Sequence, residues 1–441
     1  MPTAMEIYKL LPKKNCGECK FPTCLAFAMQ LANQKVALEA CPYVSPEAKA
    51  ALEESGAPPI RLITFGTGDM AVKVGDETQL FRHDKTFYNP TVIGLIADDS
   101  SGSQGIKDGA ALVKSLSFER VGQNIRVNSI AIRHSTGDPK EFLEGVKHAS
   151  SEGLPMVLMT EDPGLMGETS VAWPKRPLLY RATPANFDAM VEVAKRSSCP
   201  LVIGGAATLD ELSQLSERAK KAGVTDIVLE PVQGTCVQLL ESMTVMRRAA
   251  VKKHFRPLGY PTISVLGSSD LDKGKATIGV AKYSSIVLMD ELSRGFVFPL
   301  MVLRQNIFTD PQVPIQVKPG LYKVGEPNEK SPVMFTTNFS LTYFTVRADI
   351  EKSKMPAWLL VIDTEGQSVM TAFAAGKLTP ESVTEAIEKE KVKDVSKRNE
   401  IVIPGMVSRM SGKLNELSGM KVIVGSRESS GIPKMIKSFS G

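Results

Sequence analysis

Apolar residues cluster in short uninterrupted runs through the middle of the chain. The runs are IRLITFG, TVIGLIADD, VNSIAIRH, PMVLMTED, PLLYRA, PLVIGG, DIVLEP, PTISVLG and SSIVLMDE, spread over residues 60 to 291. They lack strict alternation of apolar and polar positions, which marks strands buried on both faces. Stretches with helical spacing, such as PKEFLEGVKHASSE and DELSQLSERAKKAG, separate most of them. About eight β-then-α units in succession predict a TIM barrel over 58–322, with an open doubly wound sheet as the alternative.

The pattern changes at both ends. Residues 1–57 form a small unit closed by SGAPP, a Gly/Pro linker signal. So short a piece can hardly stabilise itself by burial alone, and a metal centre would supply what is missing. After the Pro-containing stretch QVPIQVKPGLYKVGEPNEKSP, a last domain over 323–441 opens with two extended segments, VMFTTN and LTYFTVRA. WLLVIDTEG, a helix through SVMTAFAAGK, and a helix beginning at Thr379-Pro380 follow; Thr suits the N-cap and Pro the first helical position. EIVIPG, MKVIVGSRE and a final helix near Ile432 complete a small parallel α/β sheet. The predicted whole is a multidomain α/β protein.

Composition narrows the class. The chain has 441 residues, 43% hydrophobic and 23% charged, ordinary values for a globular protein. The net charge of +5, from 53 basic and 48 acidic residues, is too mild to argue for nucleic acid. There is no apolar run of membrane-spanning length, and MPTAMEIYKLLPKKNC lacks the apolar core of a signal peptide, so the expected location is the cytoplasm, without membrane association.

Four of the six cysteines change the picture. They follow C-x2-C-x4-C, then sixteen residues, then C-P: Cys16, Cys19, Cys24 and Cys41. A dense group in a cytosolic chain reads as metal-binding before it reads as disulfides. Four thiolates are the usual ligand set of a 4Fe–4S cluster. A structural zinc site takes the same donors, but more often shows two C-x2-C pairs. Cys199 and Cys236 stand alone and read as small apolar residues. Carboxylates follow several of the barrel runs: Asp98, Asp99, Glu161, Asp162, Glu230, Asp290 and Glu291. They sit where TIM-barrel catalysis resides, yet such residues also commonly cap helices, and scaffolding is the favoured reading. GTGDM at 66–70 reads as a turn rather than a phosphate loop.

With these motifs in view, the chain resembles the large subunits of corrinoid iron–sulfur proteins, the gamma subunits of the acetyl-CoA decarbonylase/synthase complex. The resemblance rests on CGECKFPTCLAFA with Cys41, FRHDKTFYNPT at 81–91, TTNFSLTYF, VIDTEGQSVMTAFAAGK, IVIPGMVSRMSGKL and VIVGSRESSGIP. It implies a 4Fe–4S domain, a TIM barrel and a Rossmann-like corrinoid-binding domain. It implies two cofactors, the 4Fe–4S cluster and a cobalamin-type corrinoid with its cobalt. It also implies a heterodimer with a small corrinoid-protein subunit in anaerobic carbon fixation by the reductive acetyl-CoA pathway. There Co(I) takes a methyl group from methyltetrahydrofolate, or an archaeal pterin, on a methyltransferase. Methyl-Co(III) gives it to acetyl-CoA synthase/CO dehydrogenase, and the cluster, supplied by a reductive activator or ferredoxin-type donor, re-reduces Co(II). Such a chain is a methyl carrier rather than a self-sufficient enzyme.

Ser368, Val369, Met370 and Thr371 open the helix after WLLVIDTEG, where parallel α/β sheets bind ligands. They are the expected corrin contacts, with Gly405, Gly425 and Gly431 on later loops. By motif position Asn338 and Phe344 join them, though a polar strand end and a core aromatic would read the same. Thr371 is the candidate nearest the lower cobalt face; local capping is its alternative. The Asp-x-His-x-x-Gly motif of many cobalt-binding carriers is absent. The competing functions are an electron-transfer subunit without corrinoid and a barrel methyltransferase acting on a methylated pterin.

Overall fold

The computed structural model describes residues 4–33, 35–82, 87–309 and 314–440. Within FRHDKTFYNPT, residues 83–86 lie outside the described residues.

Eight parallel strands close into a barrel in chain order: Val92–Asp98, Ser129–Arg133, Met156–Met159, Leu178–Ala182, Leu201–Ile203, Ile227–Leu229, Thr262–Leu266 and Ser284–Met289. The last pairs with the first, Ile286 opposite Val92 through Met289 opposite Leu95. Alternate side chains divide between two cores. Ala131 points into the barrel with Val157, Val202, Val228, Ile263 and Ile286, while Ile130 and Ile132 join the outer layer with Phe142 and Leu158. Both faces are therefore apolar, which is why these runs show no alternation.

The ninth run, IRLITFG, is not a barrel strand. Ile63–Phe65 pairs antiparallel with Val72–Val74. GTGDM supplies the connection, including the short 3-10 turn Gly68–Met70. Ile63, Phe65 and Val74 are at most 1% exposed and pack into the barrel's interior cluster, so the hairpin caps the barrel. Among the described residues Ile63–Phe65 has Val72–Val74 as its only strand partner, and its two inward residues, Ile63 and Phe65, carry apolar side chains to the barrel's interior.

Helix starts follow the side-chain chemistry. Asp162, Thr208, Thr235 and Ser269 each accept a backbone N–H in the first turn of the helix that follows them. Thr379 does the same before Pro380, in a reciprocal capping box with Ser382.

Against boundaries expected at 57 and 322, packing divides the chain into two units. One comprises 1–80, 88–113 and 128–292; the other comprises 81–87, 114–127 and 293–441. The insert Ser117–Arg126 is a two-stranded hairpin whose Arg120 and Gln123 bond Gln305, which ties it to the second unit. Residues 4–52 keep a core of their own around Ile7, Leu11, Phe27 and Ala28.

The second unit holds a five-stranded sheet. In spatial order its strands are Gly320–Val324, Ala357–Ile362, Val333–Thr337, Glu400–Ile403 and Lys421–Val424. Four are parallel; Gly320–Val324, inside the expected linker, runs antiparallel at the edge. LTYFTVRA is helical rather than extended, within Ser340–Lys352. Its aromatic and β-branched residues favour a strand locally, but Tyr343 and Ile350 pack with Met334, Leu359 and Val361 of the sheet, and that burial decides.

Candidate functional site

The first candidate site is the cysteine loop. Lys13, Asn15, Gly17 and Lys20 all have φ between +50° and +76°, so the chain from 13 to 20 turns repeatedly rather than extending. Gly17 supplies such a conformation at no steric cost. The loop ends where Thr23 caps the helix Cys24–Ala32, and Cys41 follows the 3-10 turn Leu38–Ala40. All four thiols are free; Cys16 is exposed, while Cys19, Cys24 and Cys41 are buried in one cluster with Phe27. The Asn15 backbone N–H donates to Cys24 Sγ at 3.4 Å, and Asn15 Oδ1 accepts from the Cys24 N–H at 2.8 Å. Among the described residues no three His, Cys, Asp or Glu side chains are grouped as ligands of a single metal ion. The fit to an iron–sulfur cluster rests on the four-thiol donor set, the shared burial of three of its members, Cys19, Cys24 and Cys41, and an amide donated to sulfur.

The second candidate is a cleft of ≈ 860 Å³, including its open mouth, in the five-stranded sheet. The strand following Val333–Thr337 lies on one side of it and the strand after that on the other, so chain direction reverses there. Ligands bind outside the carboxyl ends of strands at such a point. Val333–Thr337 pairs with Glu400–Ile403 through only two residues, Val333 with Ile401 and Met334 with Val402. Beyond that register Phe335, Thr336 and Ile403 line the cleft. Thr336 is fully buried and its hydroxyl has no hydrogen-bond partner. An unpaired buried hydroxyl is costly, and a polar ligand group would satisfy it.

Of the residues singled out in the sequence, Ser368, Val369, Met370 and Gly425 line this cleft. Thr371 does not; its hydroxyl lies 2.9 Å from Ser368 Oγ at the start of the same helix. Gly405 and Gly431 serve the cleft's walls instead. A Cβ on Gly405 would stand 2.5 Å from the carbonyl oxygen of Gly425, and one on Gly431 2.6 Å from Ser426 Cβ, so both let loops approach closely.

Asn338 and Phe344 are outside the lining. Asn338 is 1% exposed, and its Oδ1 accepts from the Thr364 and Gly366 amides and the Thr364 hydroxyl, each at 3.0 Å. Its Nδ2 donates to Asp363 at 3.0 Å. It ties down the loop that leads into Ser368. Phe344 packs against Tyr343 and Gly122. Sequence reading missed Thr336, Ile403, Met406 and Arg427 among the lining residues. All four lie in motifs already singled out, Thr336 in TTNFSLTYF, Ile403 and Met406 in IVIPGMVSRMSGKL, and Arg427 in VIVGSRESSGIP, so motif membership was the signal that could have found them.

The carboxylates at the barrel's mouth are largely taken up by one another's neighbours. Arg133 grips Asp98 at 2.7 and 2.8 Å and reaches Asp290 at 2.9 Å, which raises the guanidinium's already high pKa. Arg181 bonds Glu161 at 3.0 Å and pairs with Glu230. Tyr180 donates to Glu230 at 2.7 Å, and burial followed by that charge pushes the phenol's pKa up. Asp162 caps a helix, and Glu291 is exposed.

Asp99 accepts from the Ser135 and Thr136 amides and hydroxyls at 2.8–3.0 Å and stands 2.6 Å from His134 Nδ1. Burial disfavours its charge, but these donors outweigh burial and hold the carboxyl below its usual range. A depressed folded-state pKa contributes stability above the unfolded value near 3.9, lost as pH falls through the folded one. Asp99→Asn should therefore lower the urea-unfolding midpoint at pH ~7 by an amount equivalent to roughly 2 kcal/mol, with the gap narrowing below pH ~4. A gap independent of pH would show that the Asp99 charge is not what the loop depends on.

Comparison with known proteins follows these contours. The family described as "CO dehydrogenase/acetyl-CoA synthase delta subunit" matches residues 62–436. A family described as "Putative Fe-S cluster" matches residues 11–43, the cysteine loop and its helix. The "Corrinoid/iron-sulfur protein large subunit" of Moorella thermoacetica is 45% identical over 434 residues, 98% of this chain and 97% of that one. The "Acetyl-CoA decarbonylase/synthase complex subunit gamma" of Methanothermobacter thermautotrophicus is 36% identical over 98% of this chain and 97% of its own length. Its counterpart in Methanopyrus kandleri is 34% identical over 99% and 97%. With both candidate sites inside matches that run nearly end to end, the chain belongs to the family of corrinoid/iron–sulfur protein large subunits, the gamma subunits of the acetyl-CoA decarbonylase/synthase complex.

Proposed function

We propose that this chain is the large subunit of a two-subunit corrinoid methyl carrier. Cys16, Cys19, Cys24 and Cys41 hold a 4Fe–4S cluster, and the sheet cleft holds part of a corrinoid. When bound, these groups supply a cobalt centre that carries a methyl group from a methylated folate or pterin to acetyl-CoA synthase, and single electrons that restore cobalt to its reactive state. The chain's own residues do the rest. Met334, Phe335, Val402 and Ile403 offer the ligand an apolar wall. Thr336 and Ser368 offer hydroxyls, and Gly425 keeps the backbone accessible at the end of its strand. Among the described residues no histidine lies in the second unit, so no imidazole from that unit's described part ligates the cobalt.

The partners follow from this role: a small corrinoid-protein subunit, a methyltransferase, acetyl-CoA synthase/CO dehydrogenase, and a low-potential electron donor. Among the described residues no helix is long and apolar enough to cross a membrane. A barrel methyltransferase draws little support from the mouth, where Asp98, Asp99 and Glu230 are already bonded within the protein.

The buried, unpartnered Thr336 hydroxyl in a switch-point cleft carries the corrinoid reading. Iron and cobalt content of the anaerobically purified complex with its small subunit tests it. About four irons and one cobalt per large subunit are expected. Four irons without cobalt, after corrinoid has been supplied, would overturn it. Thr336→Val adds a sharper check. Removing an unsatisfied hydroxyl should leave the corrinoid-free protein equally stable or stabilise it by ~1 kcal/mol, while corrinoid affinity falls roughly 5- to 100-fold. Equal corrinoid affinity in the two proteins would take Thr336 out of the site.

A further inference from the structure

The loop around Cys16 is more than a ligand carrier. Residues 13–18 are all exposed, as is Lys20, whereas Cys19 and Cys24 are buried. Cys16 is thus the only one of the four thiols open to solvent. It is flanked by Lys13, Lys14 and Lys20. Lys14 Nζ sits 3.9 Å over the Tyr43 ring and Lys13 Nζ 5.6 Å from the Tyr8 ring, so aromatic faces steady both ammonium groups. Among the described residues none of these three lysines forms an ion pair, whereas Lys49 pairs with Glu39 at 3.3 Å. Glu18, the one carboxylate of the loop, accepts from Tyr43 Oη at 2.8 Å. From residue 4 to 45 the charges are Lys9, Lys13, Lys14, Lys20 and Lys35 against Glu6, Glu18 and Glu39, a positive balance concentrated beside the exposed thiol.

We propose that the loop from Lys13 to Lys20 is the docking face for a small electron carrier whose own surface is acidic, with Cys16 as the point of electron entry. The inference rests on the reading that the four cysteines hold a cluster. The exchange is one electron: the reduced carrier loses it and the oxidised cluster gains it, with no bond formed or broken at the cluster; where the carrier is a flavin, the one proton that accompanies its semiquinone at N5 is exchanged with solvent. Unpaired ammonium groups ringing the most exposed ligand attract an acidic partner over about a Debye length and orient it with its redox centre toward Cys16. A patch of this kind governs the association rate, and its influence falls as salt rises.

The test uses the full complex with its small subunit, its cluster reduced beforehand and mixed with oxidised flavodoxin, an acidic carrier whose semiquinone absorbs apart from iron–sulfur centres. The rate constant should fall roughly tenfold between about 20 mM and about 500 mM salt. The combined substitution Lys13→Glu, Lys14→Glu and Lys20→Glu should slow exchange at low salt roughly tenfold and abolish the salt dependence. Exchange with methyl viologen, a dication, should quicken in the same variant. Iron content and visible absorption equal to wild type show that the variant keeps its cluster. If the triple variant loses it, Lys20→Glu alone should still slow the flavodoxin reaction about threefold. Unchanged rates and salt slopes in a cluster-bearing variant would overturn the docking face. A wild-type protein without a cluster would overturn the reading beneath it.

Discussion

Replacing Cys24 with alanine should empty the N-terminal unit of iron and leave cobalt in place. Cys24 opens a helix, is 6% exposed, and shares its core with Cys19 and Cys41. Beyond the cysteines the fully packed part of that core is Ile7, Leu11, Phe27, Ala28 and Leu52. So few side chains cannot offset the chain entropy of some fifty residues, so the cluster's ligand bonds must supply the balance. The expected result is iron content falling from about four to near zero, with loss of the visible iron–sulfur absorption. Faster proteolysis should appear within the first 57 residues only. Corrinoid binding, proposed for the cleft of the second unit, should be unchanged. Reduction of cobalt by low-potential donors should slow by at least an order of magnitude. Normal reduction in a variant without iron would remove the cluster from the electron path.

Asn338→Ala should be among the most damaging changes in the sheet domain, although the side chain touches no cleft surface. Its loss leaves the amides of Thr364 and Gly366 buried without an acceptor and removes one donor from Asp363, which keeps the Glu365 amide. Thr364 is 1% exposed, so water does not readily replace the lost acceptor. At about 1–3 kcal/mol for each unsatisfied buried group, the cost is roughly 3 kcal/mol or more. The urea midpoint should fall accordingly. Corrinoid affinity should weaken more than tenfold as well, because the loop 363–367 sets the start of Ser368–Met370. Asn338→Asp separates the two effects. It keeps the acceptor oxygens but faces Asp363 with a second carboxylate, so its defect should be relieved as pH falls toward 4. An Asn338→Ala protein of normal stability with weakened corrinoid binding would instead make Asn338 a direct contact.

Much was legible because local chemistry carried it. The cysteine spacing stands in the residues themselves, and the caps at Asp162, Thr208 and Thr379 announce their helices by a side-chain oxygen that accepts a nearby amide. Runs buried on both faces read as barrel strands whatever their neighbours. By contrast IRLITFG and LTYFTVRA were misread, because a short apolar run carries no record of what it pairs with. Tertiary pairing made the first a hairpin cap, and burial of Tyr343 and Ile350 made the second a helix.

The sequence alone carried the four-cysteine spacing, the doubly buried runs that became the barrel's strands, and the motifs of the family resemblance. It also placed Ser368, Val369, Met370 and Gly425 where the cleft is lined. It left open which side chains face that cleft and which build its walls. Thr336 and Ile403 lie 67 residues apart and meet across the cleft only because the sheet order reverses between their strands. Gly405, Gly431 and Asn338 look like ligand contacts in one dimension; in the structure Gly405 lies against the Gly425 carbonyl, Gly431 against the Ser426 side chain, and Asn338 on the Thr364 amide. Spacing along the chain records local geometry, whereas packing between segments far apart in sequence depends on sheet order, which only the folded structure supplies.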